Sequence, residues 1–168
     1  GVKPKSKAGE YFRNNVWWWH PLWDYCSAKH IDIIGEHLAE HGHYNSGYGL
    51  SEERARELGE ALLADIEAGI TAQWKVDWDS QIAQIPRETC FICHGSGIRD
   101  DELGKENGQD TKELDPELAI LLGRTHGWCN GCNGEGLRDS WASNYPFEVE
   151  NVKEFAEFLL ECGGFEIC

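Results

Sequence analysis

At 168 residues the chain is long enough for one domain with its own core, or for a domain carrying a small appendage. Its 30 acidic residues against 15 basic ones give a formal charge of −15, a surface that repels nucleic-acid phosphates and favours basic protein partners, or that serves solubility alone. No run approaches the roughly 18 apolar residues of a membrane span and no secretory segment stands near the start; the seven Cys, an odd number, then suit a reducing cytoplasm.

Residues 1–10, with Lys3, Lys5 and Lys7, read as a basic mobile tail, and 11–168 as a single domain. The aromatic run 11–23 leads into a first helix over about 21–41, with Pro21 in its first turn and Leu22, Tyr25, Cys26, Ile33, Ile34 and Leu38 as its apolar stripe. Gly42 and the segment 43–49 form a loop. Ser51 is an N-cap for the next helix, Glu52 and Glu53 suit its positive end, and Gly69 stops it. A third helix carries Ile70, Trp74, Trp78 and Ile82 at four-residue spacing and ends before Pro86.

A cysteine-rich module follows over about 89–138. Within it, 99–112 reads as an exposed polar loop, and Asp115-Pro116 as the cap and first residue of a short helix ended by Gly123. A last amphipathic helix runs over about 149–162, with Val149, Val152, Phe155, Ala156, Leu159 and Leu160 on its buried side. Gly163-Gly164 breaks it, and 165–168 forms an edge strand or a packed tail. The predicted fold is mainly α, a helical core with a small irregular or β module.

Two copies of one pattern organise that module: Cys90-Phe91-Ile92-Cys93-His94-Gly95-Ser96-Gly97 and Cys129-Asn130-Gly131-Cys132-Asn133-Gly134-Glu135-Gly136. Both read C-x-x-C-x-G-x-G. A two-residue gap lets both thiolates of a pair reach one ion, and two such knuckles complete a closed tetrahedral site for one structural Zn²⁺ per chain. The glycines allow the close turns that such a knuckle needs. Two disulfides or a redox pair are the competing readings, and the doubling with its shared glycine tail favours zinc.

The doubled pattern resembles the cysteine-rich zinc domain of the DnaJ (Hsp40) chaperones, over these sixteen residues only. Those chaperones carry four knuckles and a J domain with His-Pro-Asp; here there are two knuckles, and the only His-Pro continues to Leu22. The resemblance therefore implies a knuckle hairpin and no chaperone activity. The wider chain is similar to a group of small proteins encoded by bacteriophages and some bacterial genomes, through 11–19, Gly42-His43-Tyr44-Asn45, Asn144-Tyr145-Pro146-Phe147 and 149–168. That resemblance implies a phage-type accessory factor working in host cytoplasm.

Other constellations have ordinary counterparts. His30, His37 and His41 fall within about 20° of one line on a continuous helix. His37, His41 and His43 are the candidates for a second metal, although His37-Leu38-Ala39-Glu40-His41 lacks the H-E-x-x-H order, and a solvated stripe accounts for them as well. Trp17, Trp18 and Trp19 offer an aromatic platform for a ligand or partner, with His43, Tyr44 and Asn45 as further contacts; a core wedge of alternating rings is the plainer reading. His94 and His126 lie near the knuckles without being needed as ligands. Asp100, Asp101, Glu102 and Glu106 form an acidic stretch suited to a basic protein. No phosphate-binding loop, nucleophile elbow or dinucleotide fingerprint is present. The expectation is a non-enzymatic, zinc-structured protein that binds, or inhibits, a basic host protein such as a defence or transcription component. Nucleic acid is an unsuitable direct ligand. A protein that binds a nucleotide or small ligand, and a metalloenzyme built on the histidines, are the alternatives.

Overall fold

The computed structural model describes all 168 residues, and the chain is mainly helical. It divides into two compact units. The first comprises Gly1–Gln84 and Asn144–Cys168, and the second is the continuous segment Ile85–Ser143 between them. The second unit contains the predicted module of about 89–138 and extends a few residues beyond it at each end. No helix is long and apolar enough to cross a membrane.

The first unit opens with residues that the sequence assigns to a mobile tail. The structure docks them: the Val2 N–H donates to the Gly164 carbonyl oxygen at 2.7 Å and the Lys5 N–H to that of Glu161 at 2.8 Å. Lys5 also pairs with Glu52 at 2.6 Å. Helix α1, Val16–Lys29, begins five residues before the predicted start, because Asn15 caps it and accepts from the N–H groups of Trp17 and Trp18. Pro21 therefore lies inside the helix. The predicted continuous helix to 41 is broken at His30 (φ −131°, ψ 37°) and Gly35 (φ 80°) into α2, Ile31–Ile34, and α3, Glu36–His41.

The two-residue strand β1, Gly49–Leu50, leads to α4, Glu52–Glu67, where the Arg54 N–H donates to the Ser51 hydroxyl. Gly69, at φ 75°, separates α4 from α5, Ile70–Ala83. The chain returns to this unit for α8, Val149–Glu161, and β4, Phe165–Glu166, which pairs antiparallel with β1. Helices α4 and α8 pack intimately: a β-carbon on Gly59 would lie 3.0 Å from the Ala156 carbonyl oxygen and 3.1 Å from Leu159 Cβ. Around this contact Leu22, Trp23, Leu58, Leu62, Phe155 and Leu159 are fully buried. Each such side chain stabilises the fold by about 1.5–3 kcal/mol through removal from water.

The tryptophan run follows the helical period rather than an alternating one. Trp19 and Trp23, one turn apart, stack at 5.2 Å, and their indole N–H groups donate to the carbonyl oxygens of Gly42 and Ala39. A polar network is set into the same core. The Tyr25 hydroxyl donates to Asp65 at 2.6 Å and lies 2.9 Å from the Thr71 hydroxyl, while His30 Nε2 lies 2.9 Å from the same carboxylate oxygen. Burial and the neighbouring carboxylate raise the Tyr25 hydroxyl well above its ordinary pKa.

In the second unit, β2, Glu88–Thr89, pairs antiparallel with β3, Leu137–Arg138. Between them lie α6, Glu102–Glu106, and α7, Pro116–Leu122, both short.

Candidate metal centre

The β2–β3 pair closes the base of the cysteine module, and the Cys90 N–H extends it by donating to the Gly136 carbonyl oxygen at 2.8 Å. Each strand end therefore delivers one knuckle. The two knuckles have the same backbone course. His94 and Asn133, which follow the second cysteine of each pair, stand at φ 50° and 49°, and Gly97 and Gly136 at 73° and 79°. This left-handed course turns amides toward sulfur: the Gly97 N–H donates to Cys93 Sγ at 3.3 Å and the Gly136 N–H to Cys132 Sγ at 3.2 Å. A β-carbon on Gly97 would strike the Gly134 carbonyl oxygen, and one on Gly136 that of Gly95. The glycine tail is thus required twice, once for the turn and once for the reciprocal crossing of the knuckles.

The turns bring all four thiols together. Cys90 and Cys129 sulfurs are 3.9 Å apart, those of Cys93 and Cys132 are 3.6 Å apart, and all four lie within 4.8 Å of one another. Tetrahedral ligation at about 2.3 Å requires sulfurs about 3.8 Å apart, which these distances bracket. No cysteine of the chain is bridged, so the disulfide reading finds no support.

All four cysteines are buried, and at Cys90, Cys129 and Cys132 burial opposes ionisation. At Cys90 that opposition is outweighed by the N–H groups of Cys93 and Ile92, which bring the thiol down to about 7. Burial pushes Cys132 up to about 12 and also raises Cys129. Thiols this close ionise together only around a cation, which is the chemistry of a metal site with four protein ligands and no open position.

One positioning residue carries no sequence signal. Arg124 Nη2 donates to the carbonyl oxygens of Gly97 at 2.9 Å and Gly134 at 2.6 Å, one from each knuckle. It follows Gly123, whose left-handed turn (φ 66°) ends α7. Nothing in the local pattern shows that the next side chain spans the two halves.

The acidic stretch between the knuckles is partly ordered. Asp101 caps α6 by accepting from the Gly104 N–H at 2.6 Å and pairs with Arg99 at 3.0 Å. Those two contacts, the arginine first, hold its carboxyl below the usual range. The remaining ion pairs of this unit join Arg87 to Glu135 and Asp139, and Arg138 to Glu88. Asp100, Glu102 and Glu106 take part in none.

The histidine candidates do not converge. His41 Nδ1 faces the His37 carbonyl oxygen at 2.9 Å, and the two rings stack at 4.3 Å. His43 instead lies 3.2 Å from Asp24 and packs edge-on to His20. The four cysteines alone form a metal-competent cluster of three or more His, Cys, Asp or Glu side chains. His94 and His126 are exposed, and His126 Nδ1 lies 2.9 Å from the Thr125 hydroxyl.

Trp17, Trp18 and Trp19 do not form one platform either. Trp17 packs on Tyr145 and Trp19 on Trp23, whereas Trp19, His43, Tyr44 and Asn45 line one cleft that excludes Trp17 and Trp18. Cys26 and Cys162 are buried, with thiols that burial raises, and Cys168 is exposed. Comparison with protein-family models, curated proteins and solved structures gives no match.

Proposed function

We propose that the ion is Zn²⁺, one per chain and structural, and that the chain is a non-catalytic binding protein for a basic protein partner. Four thiolates in a closed tetrahedron suit zinc and leave no position for substrate. The observation that carries the partner reading is the set of carboxylates between the knuckles. Asp100, Glu102, Glu106, Asp110, Glu113 and Glu117 lie close in sequence, and none enters an ion pair. Beside them α7 buries none of its side chains, and Ile120 and Leu121 are 84 % and 73 % exposed. Exposed apolar side chains in a segment rich in uncompensated carboxylates suit a cationic, partly apolar protein surface. The phage resemblance supplies a setting: the partner is a host protein, such as a defence or transcription component, that the chain inhibits in the cytoplasm.

The test is affinity capture of bacterial proteins by the full chain and by a D100N/E102Q/E106Q variant, at two salt concentrations. Asp101 is left intact because it caps α6. A basic protein retained by the wild type, lost by the variant and released as salt rises supports the reading, since screening shortens the attraction to about 8 Å at 0.15 M. Retention unaffected by both changes refutes it. Duplex DNA is expected not to bind, because the chain would release no phosphate counterions.

A further inference from the structure

We propose that the first unit contains a binding site for an uncharged or cationic aromatic heterocycle of the nucleobase or nucleoside class. The site is a cleft of about 480 Å³, within the roughly 300–1,000 Å³ of small-molecule sites. This inference rests on a different unit from the partner reading and does not depend on it.

The cleft is walled by rings that other contacts hold in place. Phe12 lies 5.0 Å from Phe155, Trp19 meets Phe155 edge-on at 5.5 Å, and Phe165 meets it edge-on at 5.9 Å. Trp19 is fixed further by its stack on buried Trp23 and by its bond to the Gly42 carbonyl oxygen. A wall ordered in advance binds a planar ring without a further cost in side-chain entropy.

Polar groups around these rings have capacity that the chain does not use. His20 packs its ring on Tyr145 and against His43, and neither of its nitrogens makes a hydrogen bond within the chain. Asn45 is exposed and its amide also makes none. Asn14 donates its amide N–H to Asn151 Oδ1, which leaves its own carbonyl oxygen as an acceptor. His43 is oriented by Asp24, and burial holds its pKa below the ordinary histidine value, so it presents a neutral ring near pH 7. Stacking faces with donors and acceptors at the edge match a nucleobase.

Charge decides between a nucleoside and its phosphates. No Lys or Arg lines the cleft, and Glu166 does. The Gly1 nitrogen, also in the lining, already donates to the Glu10 carbonyl oxygen at 2.7 Å. A phosphate would meet no bidentate clamp there, on a chain of charge −15.

The test titrates the metal-loaded full chain with adenosine, guanosine, cytidine and uridine, and with their 5′-monophosphates, by calorimetry and tryptophan fluorescence. The expected result is millimolar or tighter binding of at least one nucleoside, with its monophosphate weaker by about tenfold or more. Asn45→Ala and His20→Gln should each weaken the nucleoside by a similar factor while the circular dichroism is unchanged. Failure of every nucleoside at millimolar concentration overturns the proposal. So does a monophosphate that binds as tightly as its nucleoside, or binding that neither variant weakens. Binding of N-acetyltryptophanamide where all nucleosides fail would assign the cleft to a protein side chain, and would equally overturn it.

Discussion

In the first unit, α4 and α8 approach until Gly59 touches the backbone of the opposite helix, and a continuous apolar cluster from Leu22 to Ile167 surrounds that contact. In the second, the buried cluster is four cysteines with Ile92 packed beside them. Its helices have five and seven residues, below the roughly 12–15 at which an isolated helix becomes even marginal in water. A segment that buries so little apolar surface needs a staple, and the thiolate centre is the one available. With the proposed zinc, the difference teaches that one chain can fold by two separate means, water exclusion in one unit and ligation in the other. The two should fail under different insults.

The largest effect should come from removing the metal. Structural zinc supplies an apparent 10–16 kcal/mol or so at pH 7 in small zinc modules, more than the whole stability of an ordinary domain. A strong chelator, or Cys93→Ser, should abolish amide protection across Ile85–Ser143 while α4 and α8 keep theirs. Hydrogen exchange on the full chain reads both at once. Equal loss of protection in both units would break the comparison.

The converse experiment removes a core ring. Phe155 is buried among Phe12, Trp19, Phe158 and Phe165, and its truncation to alanine leaves a cavity costing about 3–5 kcal/mol. Phe155→Ala should lower the unfolding midpoint of the first unit and leave metal content at one ion per chain. Loss of the ion in this variant would show that ligation depends on the apolar core.

The cysteine cluster was legible because a site for four thiols imposes spacing on the chain itself. So were α4, α5 and α7, whose ends are marked by local chemistry at Ser51, Gly69, Asp115-Pro116 and Gly123. What depended on distant contacts was not legible. Pro21 suggested a helix start, but the helix begins five residues before the predicted one, where Asn15 caps it. The breaks at His30 and Gly35 removed the common line on which His30, His37 and His41 were aligned, and His30 went to Asp65 instead. The docking of residues 2–5 beside 161–164 uses backbone bonds that no composition reveals. Asp101 read as one of four equivalent acids, until its cap and ion pair set it apart from Asp100, Glu102 and Glu106.

Arg124 sharpens the comparison at intermediate size. Its guanidinium bonds to one carbonyl of each knuckle, and charged hydrogen bonds of this kind contribute about 1.5–3 kcal/mol. Arg124→Met should leave the first unit unchanged and weaken metal retention, seen as faster zinc release to a chromogenic chelator. Arg124→Lys should recover little, because a lone ammonium cannot hold both knuckle carbonyls and also replace the Nε–H that Arg124 directs at the Gly127 carbonyl oxygen. Release at the wild-type rate in both variants would mean that the knuckles hold each other without it.

The smallest effect compares the same chemistry in both units. Ser51 caps α4 through one long bond of 3.4 Å, and Asp115 caps α7 through two, of 3.1 and 3.0 Å. Replacing either by alanine removes about 1 kcal/mol of capping. The consequences should differ because the helices do. The sixteen residues of α4 are held by the α8 contact, so Ser51→Ala should shift the unfolding midpoint slightly and leave the helix protected. None of the seven residues of α7 is fully buried, and its caps at Asp115 and Gly123 supply much of what orders it. Asp115→Ala should therefore raise exchange over 116–122 several-fold without moving the midpoint of the first unit or releasing metal. If both substitutions act only on their global midpoints, α7 is held by packing after all, and the second unit is closer in kind to the first than its burial indicates.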